Sequence, residues 1–142
     1  MAISHLLDTS VYCQPLRKKP LPSVVSRWKA LGDASLCVSV LCEAEVLQGL
    51  EAKGSGPLWE RYRSLLEGRL PILDITVDVA RTYASLAGPL IRGGNRRPVV
   101  DLFIAATART SGLVLATLNA RHFDGIEGLA VENWSHPLGA AP

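Results

Sequence analysis

Leu36-Cys37-Val38-Ser39-Val40-Leu41-Cys42-Glu43-Ala44-Glu45-Val46-Leu47-Gln48-Gly49-Leu50 is the stretch whose reading decides the fold. Leu36-Cys37-Val38 is apolar and too short for a helix, so it reads as a buried strand. Ser39 then offers a hydroxyl to cap a helix running through Glu45 to Leu50 or beyond. Strand passing into capped helix is one half of a β-α-β unit, and the same alternation extends in both directions. Upstream, residues 3–8 read as a buried strand ending at Asp8. Pro15, Pro20 and Pro22 break the chain, and a helical pattern of Val24, Val25, Trp28 and Leu31 runs to Gly32. Downstream, Gly54-Ser55-Gly56-Pro57 is a break, and a helix carrying Leu58, Tyr62, Leu65 and Leu66 ends near Gly68. Pro71-Ile72-Leu73-Asp74 is a third strand, and Thr76 caps a helix with Val79, Ala80, Tyr83, Leu86 and Ala87 on one face. Gly93-Gly94-Asn95 makes a loop, and Pro98 suits the first turn of a helix from about Val99 to Thr110, which Gly112 stops. Leu113–Thr117 is a fourth strand and Leu129-Ala130-Val131 a fifth. The expected fold is therefore a single α/β domain over residues 1–135, with a central parallel sheet of about five short strands covered on both faces. Residues 136–142 are expected to be a flexible tail.

Composition fits this reading. A chain of 142 residues, 48% hydrophobic and 20% charged, can bury the core of one soluble domain. No run approaches the roughly 18 apolar residues needed to span a bilayer. The N-terminus enters its first apolar run without a basic segment, so a cytoplasmic location is expected. Cys13, Cys37 and Cys42 are odd in number and lack CxxC spacing, which favours inert buried thiols over a disulfide or zinc site. A net charge of +2 is too small to advertise a nucleic-acid binder. Its distribution is more informative. Arg17-Lys18-Lys19 is one basic cluster, and Arg92, Arg96 and Arg97 form another just upstream of Asp101. The second is a candidate for drawing phosphates toward an acidic pocket.

Three acidic residues carry the chemistry. Asp8 ends the first strand, Glu45 lies in the second turn of the helix after the second strand, and Asp101 opens the apolar run Leu102-Phe103-Ile104-Ala105-Ala106. Asn119 follows the fourth strand. Parallel sheets bind ligands at the carboxyl ends of their strands, where Asp8, Glu45 and Asn119 fall and which Asp101 can join. A carboxylate beside apolar residues is costly to desolvate without a cation. One shared Mg²⁺ or Mn²⁺ supplies it, because hard ions prefer oxygen ligands, and such an ion assists phosphoryl-ester hydrolysis. Glu43 is expected to be solvated, since it lies about 200° around the helix from Glu45. Gly49, four residues after Glu45, leaves room for another element to approach. His5, His122 and His136 have no paired spacing, Gly54-Ser55-Gly56 is no nucleophile elbow, and no GxxxxGK[ST] loop occurs. A phospho-receiver reading needs a lysine near a late strand, and none follows Lys53.

Several pieces in order resemble the PIN-domain family, specifically the VapC-like toxins of bacterial toxin–antitoxin pairs. They are Leu6-Leu7-Asp8-Thr9-Ser10-Val11, Ser39 with Glu45-Val46-Leu47-Gln48-Gly49, Asp101 to Ala108, Thr117-Leu118-Asn119 with Phe123, and Gly128 to Trp134. The resemblance implies an α/β/α sandwich and a Mg²⁺- or Mn²⁺-dependent endoribonuclease acting on RNA. It also implies a homodimer, and inhibition by a cognate VapB-like antitoxin within a hetero-oligomer. By the same resemblance Asp8, Glu45 and Asp101 are catalytic and metal-binding, with Asn119 a weaker fourth ligand. The chain departs from the family pattern there: Asn119 is uncharged, His122 stands where an acid often precedes the Phe123 position, and Leu118 replaces a frequent Arg. These changes count against a tightly held second metal, although Asp124 lies close enough in sequence to compensate. The alternative expectation is a catalytically weak PIN fold that binds RNA or protein. An antitoxin arginine is expected to enter the acidic pocket, with apolar anchors around Trp28 and Leu58–Leu66.

Overall fold

All five expected strands form, and each runs parallel to its neighbours. They are β1 (His5–Leu7), β2 (Leu36–Ser39), β3 (Ile72–Leu73), β4 (Val114–Thr117) and β5 (Val131–Asn133), in the order β3-β2-β1-β4-β5. The computed structural model describes residues 2–137, so all but the first two residues of the expected tail lie outside the described residues. Leu6 pairs with Cys37 on one side and Leu115 on the other, and Leu7 with Val38 and Ala116. All six side chains are fully buried, as a parallel sheet covered on both faces requires.

Among the described residues six α-helices pack around the sheet: α1 (Thr9–Tyr12), α2 (Pro22–Leu31), α3 (Val40–Lys53), α4 (Gly56–Leu65), α5 (Val77–Arg92) and α6 (Val99–Thr110). Three starts are capped by the residue types that favour such positions. Ser39 Oγ accepts from the Leu41 amide, Ser55 Oγ from Leu58, and Thr76 Oγ1 from Val79. Gly54 closes α3 in the left-handed conformation at φ 61°, where a side chain would be strained. Helix α6 buries Ile104, Ala105, Ala106 and Ala108 completely, and the small alanines let it lie close against its neighbours. Phe103 of α6 stacks on Tyr83 of α5 with ring centroids 3.9 Å apart.

Some boundaries differ from expectation. Strand β5 begins at Val131 rather than Leu129, because the Leu129 amide closes a turn onto the Ile126 carbonyl. Helix α5 runs through Pro89 to Arg92 and ends where the expected Gly93-Gly94-Asn95 loop begins. The four-residue α1 was not expected, since a single turn has no readable periodicity. At the C-terminal side Trp134 is fully buried, and its indole N–H donates to Glu132 Oε1, which also lies 3.0 Å from His5 Nε2. Arg27 Nε donates to the His136 carbonyl at 3.1 Å. Among the described residues no helix is long and apolar enough to cross a membrane. The three cysteines are free, with burial pushing the Cys37 thiol up to about 11 and Cys42 up to about 12.

Candidate active site

Chain order reverses at β1, which has β2 on one side and β4 on the other. At such a switch point the loops leaving adjacent strands diverge and open a crevice at their carboxyl ends. Asp8 stands there. It occupies the N-cap position of α1, yet its side chain makes no capping bond. Oδ2 instead accepts from Ser10 Oγ at 3.0 Å and from Thr117 Oγ1 at 2.8 Å. Each hydroxyl is held in turn: Ser10 Oγ accepts from the Leu118 amide and Thr117 Oγ1 from the Asn119 amide. The ends of β1 and β4 are thus joined through one carboxylate, 7% exposed. Nothing in the sequence alone singles out either hydroxyl, beyond a threonine ending an apolar strand.

Glu45 is exposed on α3, and Thr9 Oγ1 donates to its Oε1 at 2.6 Å. Asp101 lies in the first turn of α6, with its side chain 23% exposed. Burial raises the Asp101 pKa, His122 opposes that rise, and Asp8 and Glu45 add to it. The Asp8 and Glu45 charges thus reach Asp101 across the crevice. His122 Nδ1 lies 3.5 Å from Asp101 Oδ2, a neighbour the sequence reading did not pair with it. Asn119 is exposed just beyond β4 and lines a small cavity with Arg121, His122 and Asn133.

Two expectations around Glu45 are corrected. Glu43 is not solvated: it is 8% exposed and accepts from Tyr12 Oη and Tyr62 Oη, the latter at 3.1 Å. The 200° separation from Glu45 holds, but the Glu43 side of α3 faces α1 and α4 rather than water. Burial, with the Glu43 charge adding, pushes the Tyr62 hydroxyl up to about 12. Gly49 meets no other element, and a Cβ built there would find nothing within 4 Å.

The basic cluster divides. Arg96 and Arg97 line a cavity of about 340 Å³ with Asp101, Arg121 and His122. Arg97 also donates to the His122 and Asp124 carbonyls, so it holds the loop that carries His122. Arg92 ends α5 and does not line that cavity. Of the anchors expected around Trp28 and Leu58–Leu66, Leu66 is core, whereas Leu65 lines a groove between α2 and α4 with Val24, Val25 and Trp28. Arg69 lies 4.7 Å over the Trp28 ring at that groove.

The donor chemistry suits a hard cation: oxygen ligands, like-charged, one of them desolvated. Among the described residues, no three His, Cys, Asp or Glu side chains are already gathered tightly enough to enclose an ion. Mg²⁺ does not need such a cage, because it keeps several waters and binds through one or two carboxylates.

Residues 5–129 match the PIN domain. The chain belongs to the PIN-domain family. Among PIN-domain proteins it is 32% identical over 135 residues to Ribonuclease VapC2 of Haemophilus influenzae, covering 93% of this chain and 98% of the relative. It is 32% identical over 136 residues to the tRNA(fMet)-specific endonuclease VapC of Shigella flexneri, covering 94% and 99%. Among solved PIN-type structures, FitAcB from Neisseria gonorrhoeae superposes with a TM-score of 0.83 at 29% identity, covering 93% of this chain and 99% of that one. DNA-bound VapBC from Salmonella typhimurium superposes with a TM-score of 0.79 at 28% identity, covering 93% and 98%. The chain is a VapC-like member of the PIN family, and its α/β fold with an all-parallel five-stranded sheet is the one these proteins share.

Proposed function

We propose that this VapC-like toxin is an endoribonuclease that hydrolyses RNA phosphodiester bonds with one Mg²⁺ or Mn²⁺ held by Asp8, Glu45 and Asp101. What carries the reading is geometry: in the crevice where the sheet reverses its order, the nearly buried Asp8 carboxylate is held by Ser10 and Thr117. Bound there, the cation would lower the pKa of a water and offset charge on the non-bridging phosphate oxygens. The chain's own residues set the stage for that chemistry. Ser10 and Thr117 hold one oxygen of Asp8, so the carboxylate keeps a fixed orientation before substrate arrives. Thr9 does the same for Glu45. Asn119 is a neutral candidate to orient a ligand-bound water. Arg96 and Arg97 would receive substrate phosphates beside Asp101, whereas Arg92 lies outside their cavity.

The partners follow from the same reading. Relatives have been crystallised as VapBC and FitAcB complexes, and a cognate VapB-like antitoxin is proposed here. Its arginine would pair with the crevice carboxylates, and its apolar side chains would enter the α2–α4 groove beside Val25 and Leu65. Val77, Ile91 and Val99 are 66%, 45% and 54% exposed on α5 and α6, which supports a homodimer; a monomer in sedimentation at micromolar concentration would remove that part. An RNA substrate and an antitoxin partner imply action in the cytoplasm.

The deciding experiment is cleavage of total cellular RNA with added Mg²⁺ or Mn²⁺ by wild type and by Asp8→Asn and Asp101→Asn. Cleavage by wild type and none by either folded variant is expected. Activity retained by Asp8→Asn, or activity indifferent to chelation, overturns the assignment.

A further inference from the structure

Gly49 has no role within the chain. Glycine inside a helix is costly relative to alanine, so a mid-helix glycine needs a reason. Gly88 of α5 has one: it precedes Pro89, whose ring crowds the residue before it. Gly49 precedes no proline, sits well inside α3, and would meet nothing within 4 Å if it carried a Cβ. The space beside it is open.

That space is a groove of about 580 Å³ between the Thr9–Lys18 segment and α3. Its volume lies in the range of small-ligand clefts, about 300–1,000 Å³. Along α3 the groove is edged by Glu45, Gly49 and Lys53, three residues at four-residue intervals on one helix face. Arg17 and Lys18 stand across from them, and Leu16, Val46, Leu50 and Leu58 add apolar lining. Arg17, Lys18 and Lys53 are exposed, and none forms an ion pair among the described residues. A groove with these three cations along it suits the phosphates of a single strand, and its aliphatic floor gives an unpaired base an apolar surface to rest on. The groove reaches the reacting region directly, since Thr9 and Glu45 belong to both.

We propose that this groove is a substrate subsite that seats an unpaired nucleotide of the RNA next to the scissile bond. In this subsite Gly49 gives the base room, and Arg17, Lys18 and Lys53 take the adjoining phosphates. The inference rests on the ribonuclease reading above and places a second basic flank on the Glu45 side of the crevice. The strand then runs from Arg96 and Arg97 past the carboxylates into the groove.

The test is binding of a fluorescent single-stranded RNA decamer of mixed sequence, by anisotropy, to full-length chain carrying Asp8→Asn so that nothing is cut. Gly49→Leu fills the groove and should weaken binding at least tenfold without lowering the melting temperature, whereas Gly49→Ala should stay within about twofold. Joint Arg17→Ala, Lys18→Ala and Lys53→Ala should reduce the slope of log K against log salt by about 2, at roughly 0.7 per single-strand phosphate contact. Unchanged affinity in Gly49→Leu together with an unchanged salt slope overturns the subsite. It is equally overturned if Gly49→Leu spares RNA but blocks an arginine-bearing antitoxin peptide, because the groove is then a protein site. Failure of the wild type to cleave RNA would instead sink the nuclease reading, and these binding measurements would still decide the groove.

Discussion

Asp101 carries a charge that costs the metal-free fold stability. Burial comes first among the causes that raise it; His122 works against the rise, and Asp8 and Glu45 work with it. At this position the folded chain holds a proton more tightly than the unfolded chain does. Stability is therefore lost as pH climbs above the ordinary carboxylate value of 3.8. Metal-free Asp101→Asn should melt at a higher temperature than wild type at pH 7, and the two should converge below pH 3.8. Thermal melts across that range in chelator check this. A variant that melts lower at pH 7 would mean that Asp101 supports the fold instead of straining it. Asp8, Glu45 and Asp101 were legible as candidate ligands because acids at element ends beside apolar runs stand out. Glu43 was not legible. The apolar residues of α3 nearly encircle it, so pattern alone could not tell which of two acids faces inward, and two tyrosines distant in sequence decide the matter.

At the scale of elements, β1 and β4 are joined beyond their backbone pairing by the hydroxyls that meet on Asp8. Thr117→Val keeps the shape but removes a donor from Asp8 and an acceptor from the Asn119 amide. A buried group left unpaired costs about 1–3 kcal/mol, and a drop of that size in urea unfolding is expected. RNA cleavage should fall at least tenfold, because Asp8 is then held by Ser10 alone. Thr117→Ser should restore both properties. If Thr117→Val destabilises the chain while leaving the turnover rate intact, the hydroxyl is structural and does not orient the site. The five strands were readable because buried parallel strands are short unbroken apolar runs between helix caps and glycine stops. Ser39 and Thr76 marked two helix starts for the same local reason. Helix α1 and the start of β5 were not readable. One depends on a single turn, the other on a loop hydrogen bond that no periodicity reports.

For the whole molecule, the site is dispersed along almost the full chain while the fold is built around its first strand. The link from Asp8 to Thr117 spans 109 positions, and the PIN domain match runs from residue 5 to residue 129. Chains ending at Gly112 contain all three acids but lack β4, so nothing covers that side of β1. They should show neither RNA cleavage nor a cooperative melt. Cleavage by such a fragment would mean that the three carboxylates assemble without the strand that braces Asp8. The late arrival of β4 also bears on how a cell survives making this enzyme. Translation proceeds at about 5–20 residues per second. Until β4 emerges, β1 is paired with β2 alone, and Asp101 itself precedes β4 by only a short stretch of chain. A ribosome surrounded by its own RNA and tRNA should therefore meet an active nuclease only after β4 has emerged and paired with β1, and an inhibitor is needed only from then on.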